Sequence, residues 1–275
     1  MANVLTVQDI SCVGRCSLTV ALPIISACGV ETSVLPTAVL STHTGISGGT
    51  FRDLTADLMP IGDHWEKAGV KFDYIYTGYL GSIRQMDAVR QVMEQTAGEH
   101  CLRVIDPAMA DNGKLYYGFD GAFVAAMKEF CAHGDILLPN LTESCLLTDT
   151  PYPETYDREF IETLMKKLLT LGCGTVVLTG VSFAPGTTGV MVMGKDLCSY
   201  YRQEKLPRSY HGTGDIYASA FVGALARGVE LTKAAALAAD FCADCIRATD
   251  GAEEKWRGVR FEPLLETLGS RIRGA

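Results

Sequence analysis

The sequence lacks the long apolar runs and basic clusters that mark membrane proteins and nucleic-acid-binding proteins. No apolar stretch reaches the roughly 18 residues that a transmembrane helix needs, and the first residues show neither the basic segment nor the cleavage pattern of a signal peptide. The 24 Lys and Arg residues are outnumbered by 32 Asp and Glu residues, which gives a formal net charge of −8. They form no run that would follow a nucleic-acid backbone. We therefore expect a cytoplasmic protein that contacts neither a membrane nor nucleic acid.

Internal repeats, low-complexity tracts and linker-like segments are also absent from the sequence. The 275 residues, of which 48% are hydrophobic, are sufficient to bury a substantial core. Because no compositional boundary divides the chain, it is predicted to form one domain over residues 1–275.

The ten cysteines lie mostly within apolar segments. A chain of this length without the features of a signal peptide is expected to keep such thiols reduced and buried. Two pairs, Cys12/Cys16 and Cys242/Cys245, have the spacing of zinc ligands and would form a four-thiolate site if they met. Packing of small apolar side chains explains the second pair equally well.

Strand-like runs alternate with helical stretches along most of the chain. The predicted strands are residues 3–7, 31–39, 74–77, 102–105, 135–138 and 175–179, and the predicted helices are residues 17–28, 83–96, 121–131 and 159–171. Because parallel strands need crossovers, this order predicts a mainly parallel sheet covered by helices on both faces. Two later runs, residues 189–193 and 198–203, are joined by Gly194-Lys195-Asp196 and predict an antiparallel hairpin at the sheet edge.

Residues 210–221 combine a glycine-containing turn with the start of an apolar helix. Gly212 and Gly214 permit backbone conformations in which successive N–H groups point into one space, and the helix start adds unpaired N–H groups and a positive dipole end. This arrangement predicts a phosphate-binding site. Asp215 would repel that phosphate unless it removes a proton from a hydroxyl group that attacks it, as in a small-molecule kinase. A helix-capping Asp after a glycine turn is the alternative interpretation.

Polar residues follow each predicted strand, at the edge where open α/β sheets bind ligands. They are Asp9, Ser11, His43, Thr44, Tyr79, Asp106, Asp111, Asn140, Glu143 and Thr179. The oxygens of Asp106, Asp111, Asn140 and Glu143 are of the kind that Mg²⁺ prefers. Each residue also has an ordinary interpretation: Asp106-Pro107 is typical of a turn, and Asn140 to Glu143 has the spacing of a helix capping box.

Together these motifs resemble the pyridoxal kinase family of the ribokinase-like superfamily, in the same order and over most of the chain. The resemblance implies a ribokinase-like three-layer α/β/α sandwich with a mainly parallel central sheet and an antiparallel edge hairpin. The segments that carry it are Ser41-Thr42-His43-Thr44-Gly45, Thr77-Gly78-Tyr79-Leu80-Gly81, Asp106-Pro107-Ala108-Met109, Asp111-Asn112-Gly113-Lys114-Leu115-Tyr116, Pro139-Asn140-Leu141-Thr142-Glu143 and Gly212-Thr213-Gly214-Asp215.

The resemblance implies an ATP-dependent kinase that phosphorylates the 5′-hydroxymethyl group of a vitamin B6 vitamer: pyridoxal, pyridoxamine or pyridoxine. In that reaction Asp215 would be the general base, and the amides of Gly212, Thr213 and Gly214 would form an anion hole. A monovalent cation and a homodimeric assembly are also typical of the family. The residues implied to bind ATP, or to organise Mg²⁺ partly through water, are Asp106, Asn140 and Glu143, with Thr179 beside the nucleotide phosphates.

The resemblance also implies a substrate pocket, in which Thr44 and Tyr79 contact the pyridine ring and His43 lies beside it. Asp9 and Ser11 complete the implied pocket, but the family often has a serine where Asp9 stands. A carboxylate that faces the ring would favour an amine-bearing substrate, whereas one that points at the Cys12–Cys16 loop would only cap its turn. Pyridoxamine preference and hydroxymethylpyrimidine (phosphate) kinase activity therefore stay open. A non-catalytic nucleotide-binding regulator on the same fold is the second alternative. Loops 40–49 and 110–118 are expected to close over the site.

Overall fold

The computed structural model of the protein describes residues 2–207, 210–249 and 255–275, which contain a nine-stranded sheet and a separate two-stranded hairpin. In chain order the strands are β1 Asn3–Ser11, β2 Glu31–Leu40, β3 Phe51–Asp53, β4 Phe72–Thr77, β5 Ala97–Ile105, β6 Ala110–Asp111, β7 Lys114–Leu115, β8 Ile136–Leu137, β9 Thr175–Thr179, β10 Thr187–Gly194 and β11 Leu197–Glu204. The large sheet has the order β11-β10-β9-β8-β5-β4-β1-β2-β3, and β6 pairs with β7.

The centre of the large sheet is parallel and its two edges are antiparallel. Strands β2, β1, β4, β5, β8 and β9 pair in parallel, whereas β10 runs antiparallel to both β9 and β11. The predicted edge hairpin is therefore confirmed. At the opposite edge the short strand β3 pairs antiparallel with β2. It was not predicted from the sequence, because its three residues are all exposed and show no alternation of apolar and polar side chains.

Helices cover both faces of this sheet. They are α1 Leu18–Ala27, α2 Thr55–Lys67, α3 Ile83–Thr96, α4 Gly121–Cys131, α5 Leu141–Leu147, α6 Arg158–Leu169, α7 Thr213–Ala226, α8 Leu231–Thr249 and α9 Leu265–Arg273. Helices α1, α7, α8 and α9 pack on one face and α2 to α6 on the other, in two separate apolar clusters. Neighbouring strand residues alternate between the faces, as Val4 and Leu5 do. The three-layer sandwich is thus confirmed.

Strand β1 is longer than the sequence predicted, because it continues through Asp9 to Ser11. Its pairing with β4 ends at Val7, but its pairing with β2 continues to Ser11. Asp9 and Ser11 therefore lie inside a strand, and the expected strand end at residue 7 was wrong. Both residues still project beyond the end of β4, so they reach the edge of the sheet where the other predicted site residues stand.

In the described ranges every helix is too short or too polar to cross a lipid bilayer. Even α8, with 19 residues, carries charged residues along its length, including Lys233, Asp240, Asp244 and Arg247. Helix α2 was not predicted, since Pro60 and Gly62 interrupt its pattern. Gly62 is needed there, because a Cβ atom would lie 2.7 Å from the Val92 side chain on α3.

Candidate active site

The glycine turn before α7 forms one wall of the site. Gly212 is the N-cap of α7 and has a left-handed backbone, with φ 82°. A Cβ atom at this position would lie 2.4 Å from the backbone oxygen of Arg15, so only glycine fits. Thr213 and Gly214 belong to the first turn of the helix, where N–H groups have no intrahelical acceptor. A Cβ atom on Gly214 would meet nothing within 4 Å, so open space lies beside this turn.

Asp215 is held on a rigid support, because every residue of α7 from Ile216 to Leu225 is buried. Its Oδ2 atom accepts the backbone N–H of Ser17 at 2.9 Å. Burial raises the pKa of Asp215 to about 6; the bond from Ser17 opposes this rise, and the charge of Asp9 adds to it. A carboxylate with such a pKa is still mostly ionised at neutral pH and binds a proton more readily than an ordinary Asp.

Asp9 lies next to Asp215 and is only 3% exposed. Its Oδ1 atom accepts the hydroxyl proton of Ser17 at 2.5 Å, and its Oδ2 atom accepts that of Ser11 at 3.3 Å. Burial raises the pKa of Asp9, and the two hydroxyl bonds oppose the rise. Both oxygens thus contact protein hydroxyl groups, and one of these belongs to the turn between β1 and α1.

Tyr79 faces the same space as Asp9. Burial raises the pKa of its hydroxyl to about 12, and the negative charge of Asp9 contributes to this rise. The ring of Tyr79 stacks on Phe119 at a centroid distance of 5.6 Å, and Phe119 stacks on Phe123 of α4 at 3.6 Å. The stacked rings of Tyr79, Phe119 and Phe123 therefore form an aromatic row, which runs from the space near Asp9 to the end of the segment 110–118.

His43 links its loop to the C-terminal part of the chain. Its Nδ1 atom accepts the N–H of Gly45 at 3.2 Å, so the Nε2 atom carries the proton and donates to the Trp256 carbonyl at 2.9 Å. The His43 ring lies 5.1 Å from that of His211, the residue before the glycine turn. The neighbouring Thr44 is exposed, so it is accessible to a ligand.

Asn140 and Glu143 form the capping box of α5. Glu143 Oε2 accepts the N–H of Asn140 at 2.9 Å, and Asn140 Oδ1 accepts the N–H of Glu143 at 2.9 Å. Glu143 Oε1 also accepts the N–H groups of Met109 at 3.1 Å and Ala110 at 3.4 Å, and Asn140 Nδ2 donates to the Ala110 carbonyl at 2.7 Å. The capping box expected from the spacing of Asn140 and Glu143 is confirmed. The same two side chains also fix the loop that follows Asp106.

Asp106 is a half-buried acid for which no ion pair is found among the described residues. Its Oδ1 atom accepts the N–H of Ala108 at 3.1 Å. Burial raises its pKa well above the usual value, and the charges of Glu143 and Asp215 raise it further. A cation would offset this excess of negative charge, so the residue suits a divalent ion.

In the part of the chain that the structure describes, no group of three or more His, Cys, Asp or Glu side chains could hold a metal ion. Mg²⁺ fits this arrangement better than metals that need a protein cage, because it keeps several waters and takes oxygens from phosphates. Asn140 and Glu143 already use their polar atoms in the capping box, so their part in organising Mg²⁺ through water stays a prediction. Thr179 ends β9 and donates its N–H to the Pro139 carbonyl at 3.1 Å, which places it beside the start of α5.

The zinc interpretation of the cysteine pairs is wrong for the described residues, since no metal-binding group includes them. All ten cysteines are free. The Cys16 thiol lies 3.4 Å from the Ser17 hydroxyl, and the Cys242 thiol donates to the Thr213 carbonyl at 3.6 Å. Cys16 and Cys242 thus pack beside the site as thiols, and burial raises the pKa of both.

Sequence reasoning missed two parts of the site. Ser17 lies between the two acids, although before an apolar helix it is typical of an ordinary N-cap. The other part is the segment Trp256 to Gly258, which packs on the β1–α1 turn: Arg15 donates its N–H to the Arg257 carbonyl at 2.9 Å. A Cβ atom on Gly258 would lie 2.8 Å from the Arg15 carbonyl oxygen. No local motif signals either contact, because each joins segments about 200 residues or more apart.

The family model for phosphomethylpyrimidine kinase matches residues 55–258. The chain belongs to the phosphomethylpyrimidine kinase family. Among solved structures, a phosphomethylpyrimidine kinase candidate from Bacteroides thetaiotaomicron, crystallised with pyridoxal, is 38% identical with a TM-score of 0.91, and the alignment covers 97% of this chain and 95% of that one. Pyridoxal kinase from Lactobacillus plantarum is 32% identical with a TM-score of 0.91, over 100% of this chain and 99% of that one.

A curated relative is also similar over most of its length. The pyridoxine/pyridoxal/pyridoxamine kinase of Bordetella bronchiseptica is 28% identical over 250 residues, which are 86% of each chain. The Lactobacillus and Bordetella relatives are thus both named as kinases. The resemblance to pyridoxal kinases and the ribokinase-like fold, both predicted from the motifs, are confirmed.

Proposed function

We propose that this chain transfers the γ-phosphoryl group of ATP to the 5′-hydroxymethyl group of a vitamin B6 vitamer. The observation that carries the proposal is the placement of Asp215, a carboxylate with a raised pKa beside the glycine turn and open space. The pyridoxal in the Bacteroides relative and the names of the Lactobacillus and Bordetella relatives support the vitamer as substrate.

Asp215 acts as the general base in this proposal. Its Oδ2 atom is fixed by Ser17, and Oδ1 accepts the proton of the attacking 5′-hydroxyl group. The N–H groups of Gly212, Thr213 and Gly214 stabilise the negative charge on the transferred phosphoryl group at the start of α7. Catalysis then depends on positioning and electrostatics, since phosphoryl transfer asks for little covalent chemistry from the protein.

ATP lies across the edge formed by β5, β8, β9 and the glycine turn. Asp106 is the acid placed to hold Mg²⁺, and Thr179 contacts the nucleotide phosphates. Asn140 and Glu143 act on the metal through water and fix the loop at Met109 and Ala110. Mg²⁺ held there would neutralise charge on the phosphates.

The pyridine ring occupies the space bounded by Asp9, Ser11, His43, Thr44 and Tyr79. Tyr79 supplies an aromatic face that is already held by Phe119. Loops 40–49 and 110–118 close over the substrates and exclude water, which limits hydrolysis of ATP. The row from Tyr79 to Phe119 joins the ring-binding residue to the second of these loops.

The family model favours a second candidate, a hydroxymethylpyrimidine (phosphate) kinase, which performs the same reaction on another ring. ATP turnover with pyridoxal, pyridoxine, pyridoxamine, hydroxymethylpyrimidine and ribose separates the two. We expect the highest kcat/KM with a B6 vitamer and none with ribose. A higher kcat/KM with hydroxymethylpyrimidine would show that this compound, and not a B6 vitamer, is the substrate. No turnover with any compound would favour a non-catalytic nucleotide-binding regulator.

Assembly as a homodimer, activation by a monovalent cation, a single domain and a cytoplasmic location belong to the same proposal. Sedimentation equilibrium tests the first: a mass near twice the 29.6 kDa of the chain is expected. Turnover in potassium compared with an organic cation tests the second. Limited proteolysis that leaves one protected body of near full length is the expected result for one domain.

A further inference from the structure

Ser17 has a backbone conformation that serine rarely adopts. Its φ is 53° and its ψ is −131°, which is the geometry of the first central residue in a type II′ turn, a position dominated by glycine. The residue is 2% exposed. Such a conformation persists in a residue with a Cβ atom only when the surroundings hold it. Contacts of Ser17 must therefore fix this turn.

The side chain of Ser17 does not make the contact expected from its place in the chain. Its carbonyl oxygen accepts the N–H groups of Val20 at 3.0 Å and Ala21 at 2.9 Å, so Ser17 is the N-cap of α1. A serine at this position usually accepts an N–H from the first turn through its hydroxyl oxygen, and here no such bond exists. The hydroxyl group donates to Asp9 Oδ1 instead.

Ser17 thereby joins the two acids of the site. Its hydroxyl group is tied to Asp9 at 2.5 Å, and its N–H group is tied to Asp215 Oδ2 at 2.9 Å. The direction of the N–H group depends on the unusual backbone of residue 17. No described residue is found to donate to the other oxygen of Asp215, Oδ1, so fixing Oδ2 leaves Oδ1 available to accept from a ligand.

We propose that Ser17 is a positioning residue for Asp215. The bond from its hydroxyl group to Asp9 holds residue 17 in the II′-like conformation, and this conformation aims its N–H at one oxygen of the base. Asp9 then serves as the anchor of the turn as well as a wall of the pocket. The inference rests on the proposed function of Asp215 as the base, and it names a residue that the sequence motifs did not indicate.

Glycine and alanine at position 17 separate this role from simple packing. Both remove the hydroxyl group and keep the N–H. Glycine holds a positive φ without a tether, whereas alanine without the tether is free to relax to a negative φ and turns its N–H away from Asp215. A packing role predicts that glycine, the smaller residue, is the more harmful replacement. A positioning role predicts the opposite order.

The experiment measures kcat, and KM for ATP and pyridoxal, for wild type, Ser17→Ala, Ser17→Gly and the control Ser26→Ala, which removes an exposed hydroxyl from the same α1. We expect Ser17→Ala to lower kcat about 10- to 100-fold with KM for ATP unchanged. Ser17→Gly should recover most of that loss, and Ser26→Ala should match wild type. Wild-type kcat in Ser17→Ala, or a lower kcat in Ser17→Gly than in Ser17→Ala, overturns the proposal.

A crystal structure of the Ser17→Ala chain tests the same inference without turnover, so failure of the proposed function is distinguishable. A negative φ at residue 17 and loss of the contact between its N atom and Asp215 Oδ2 are expected. If the alanine variant keeps both the positive φ and the 2.9 Å contact, the hydroxyl group is not the tether and the inference is wrong, whether or not the wild type phosphorylates pyridoxal.

Discussion

Two acidic regions of the site differ in what holds their carboxylates. Glu143 accepts three main-chain N–H groups, two of which belong to the neighbouring loop, so all of its bonding serves the backbone. Asp215 accepts one N–H through Oδ2. A carboxylate whose two oxygens both accept main-chain N–H groups ties the helix start to the loop, whereas one that is fixed at a single oxygen can exchange a proton. Substitution at each position should therefore affect a different property.

The largest effect is expected for Asp215→Asn. The amide cannot remove the hydroxyl proton, so kcat should fall roughly 10²- to 10⁴-fold while ATP and pyridoxal still bind. The free energy of unfolding should not fall, because ionised Asp215 is destabilised by burial. Steady-state kinetics, ligand titration and thermal unfolding measure the three properties. Asp87→Asn, an exposed change on α3, is the matched control, and near-normal turnover in Asp215→Asn would remove Asp215 as the base.

Glu143→Gln is expected to lower stability, in contrast to Asp215→Asn. An amide NH₂ group would face main-chain N–H groups that now donate to a carboxylate, so the free energy of unfolding should fall by about 1–3 kcal/mol. If Glu143 also organises the waters of Mg²⁺, the Mg²⁺ concentration for half-maximal rate should rise. Urea unfolding and a Mg²⁺ titration separate the two roles. Lower stability with an unchanged Mg²⁺ response would leave Glu143 only its capping role.

Asp9→Ser tests whether Asp9, which is proposed to anchor the turn at Ser17, also selects the substrate. The sequence suggested that the carboxylate prefers the amine of pyridoxamine, but two hydroxyl groups already donate to it. We therefore expect only a several-fold shift of kcat/KM toward pyridoxal, less than the 10- to 100-fold typical of a free charge-assisted bond. The measurement is the ratio of kcat/KM for the two vitamers. An identical ratio in both proteins would restrict Asp9 to anchoring the turn.

The smallest effect is expected in the pH profile. Since Asp215 must be ionised to accept a proton, kcat/KM for pyridoxal should decline as pH falls through about 6, the raised pKa of this group in the free enzyme. Asp9→Asn removes the negative charge that contributes to that pKa, so the decline should move to lower pH. The free energy of unfolding should change with pH in the opposite direction from that of a protein with a salt-bridged Asp. Because folding raises the pKa of Asp215, its contribution to stability is lost as pH rises from about 4 to about 6. A profile in Asp9→Asn that is unmoved or shifted upward would contradict the coupling.

Local patterns in the sequence determined much of this protein. Apolar runs that alternate with helical stretches along the chain predicted the central strands. The turn at Gly194-Lys195-Asp196 predicted the edge hairpin. The spacing of Asn140 and Glu143 determined a capping box, and the glycine turn placed Asp215 at a helix start. Each of these signals lies within a few residues, where helix and strand geometry alone decides which groups meet.

Tertiary structure decided what the same residues contact. Asp215 and Ser17 are 198 positions apart, and His43 and Trp256 are 213 apart, so no local periodicity brings them together. The extension of β1 to Ser11 depends on pairing with β2, and the two bonds to Glu143 Oε1 come from a loop more than 30 residues earlier. Such contacts form only when folding of the whole sheet outweighs the entropy of closing long loops. For that reason the sequence predicted Asp215 as the base, and the packing of α1 against α7 decided that Ser17 contacts it.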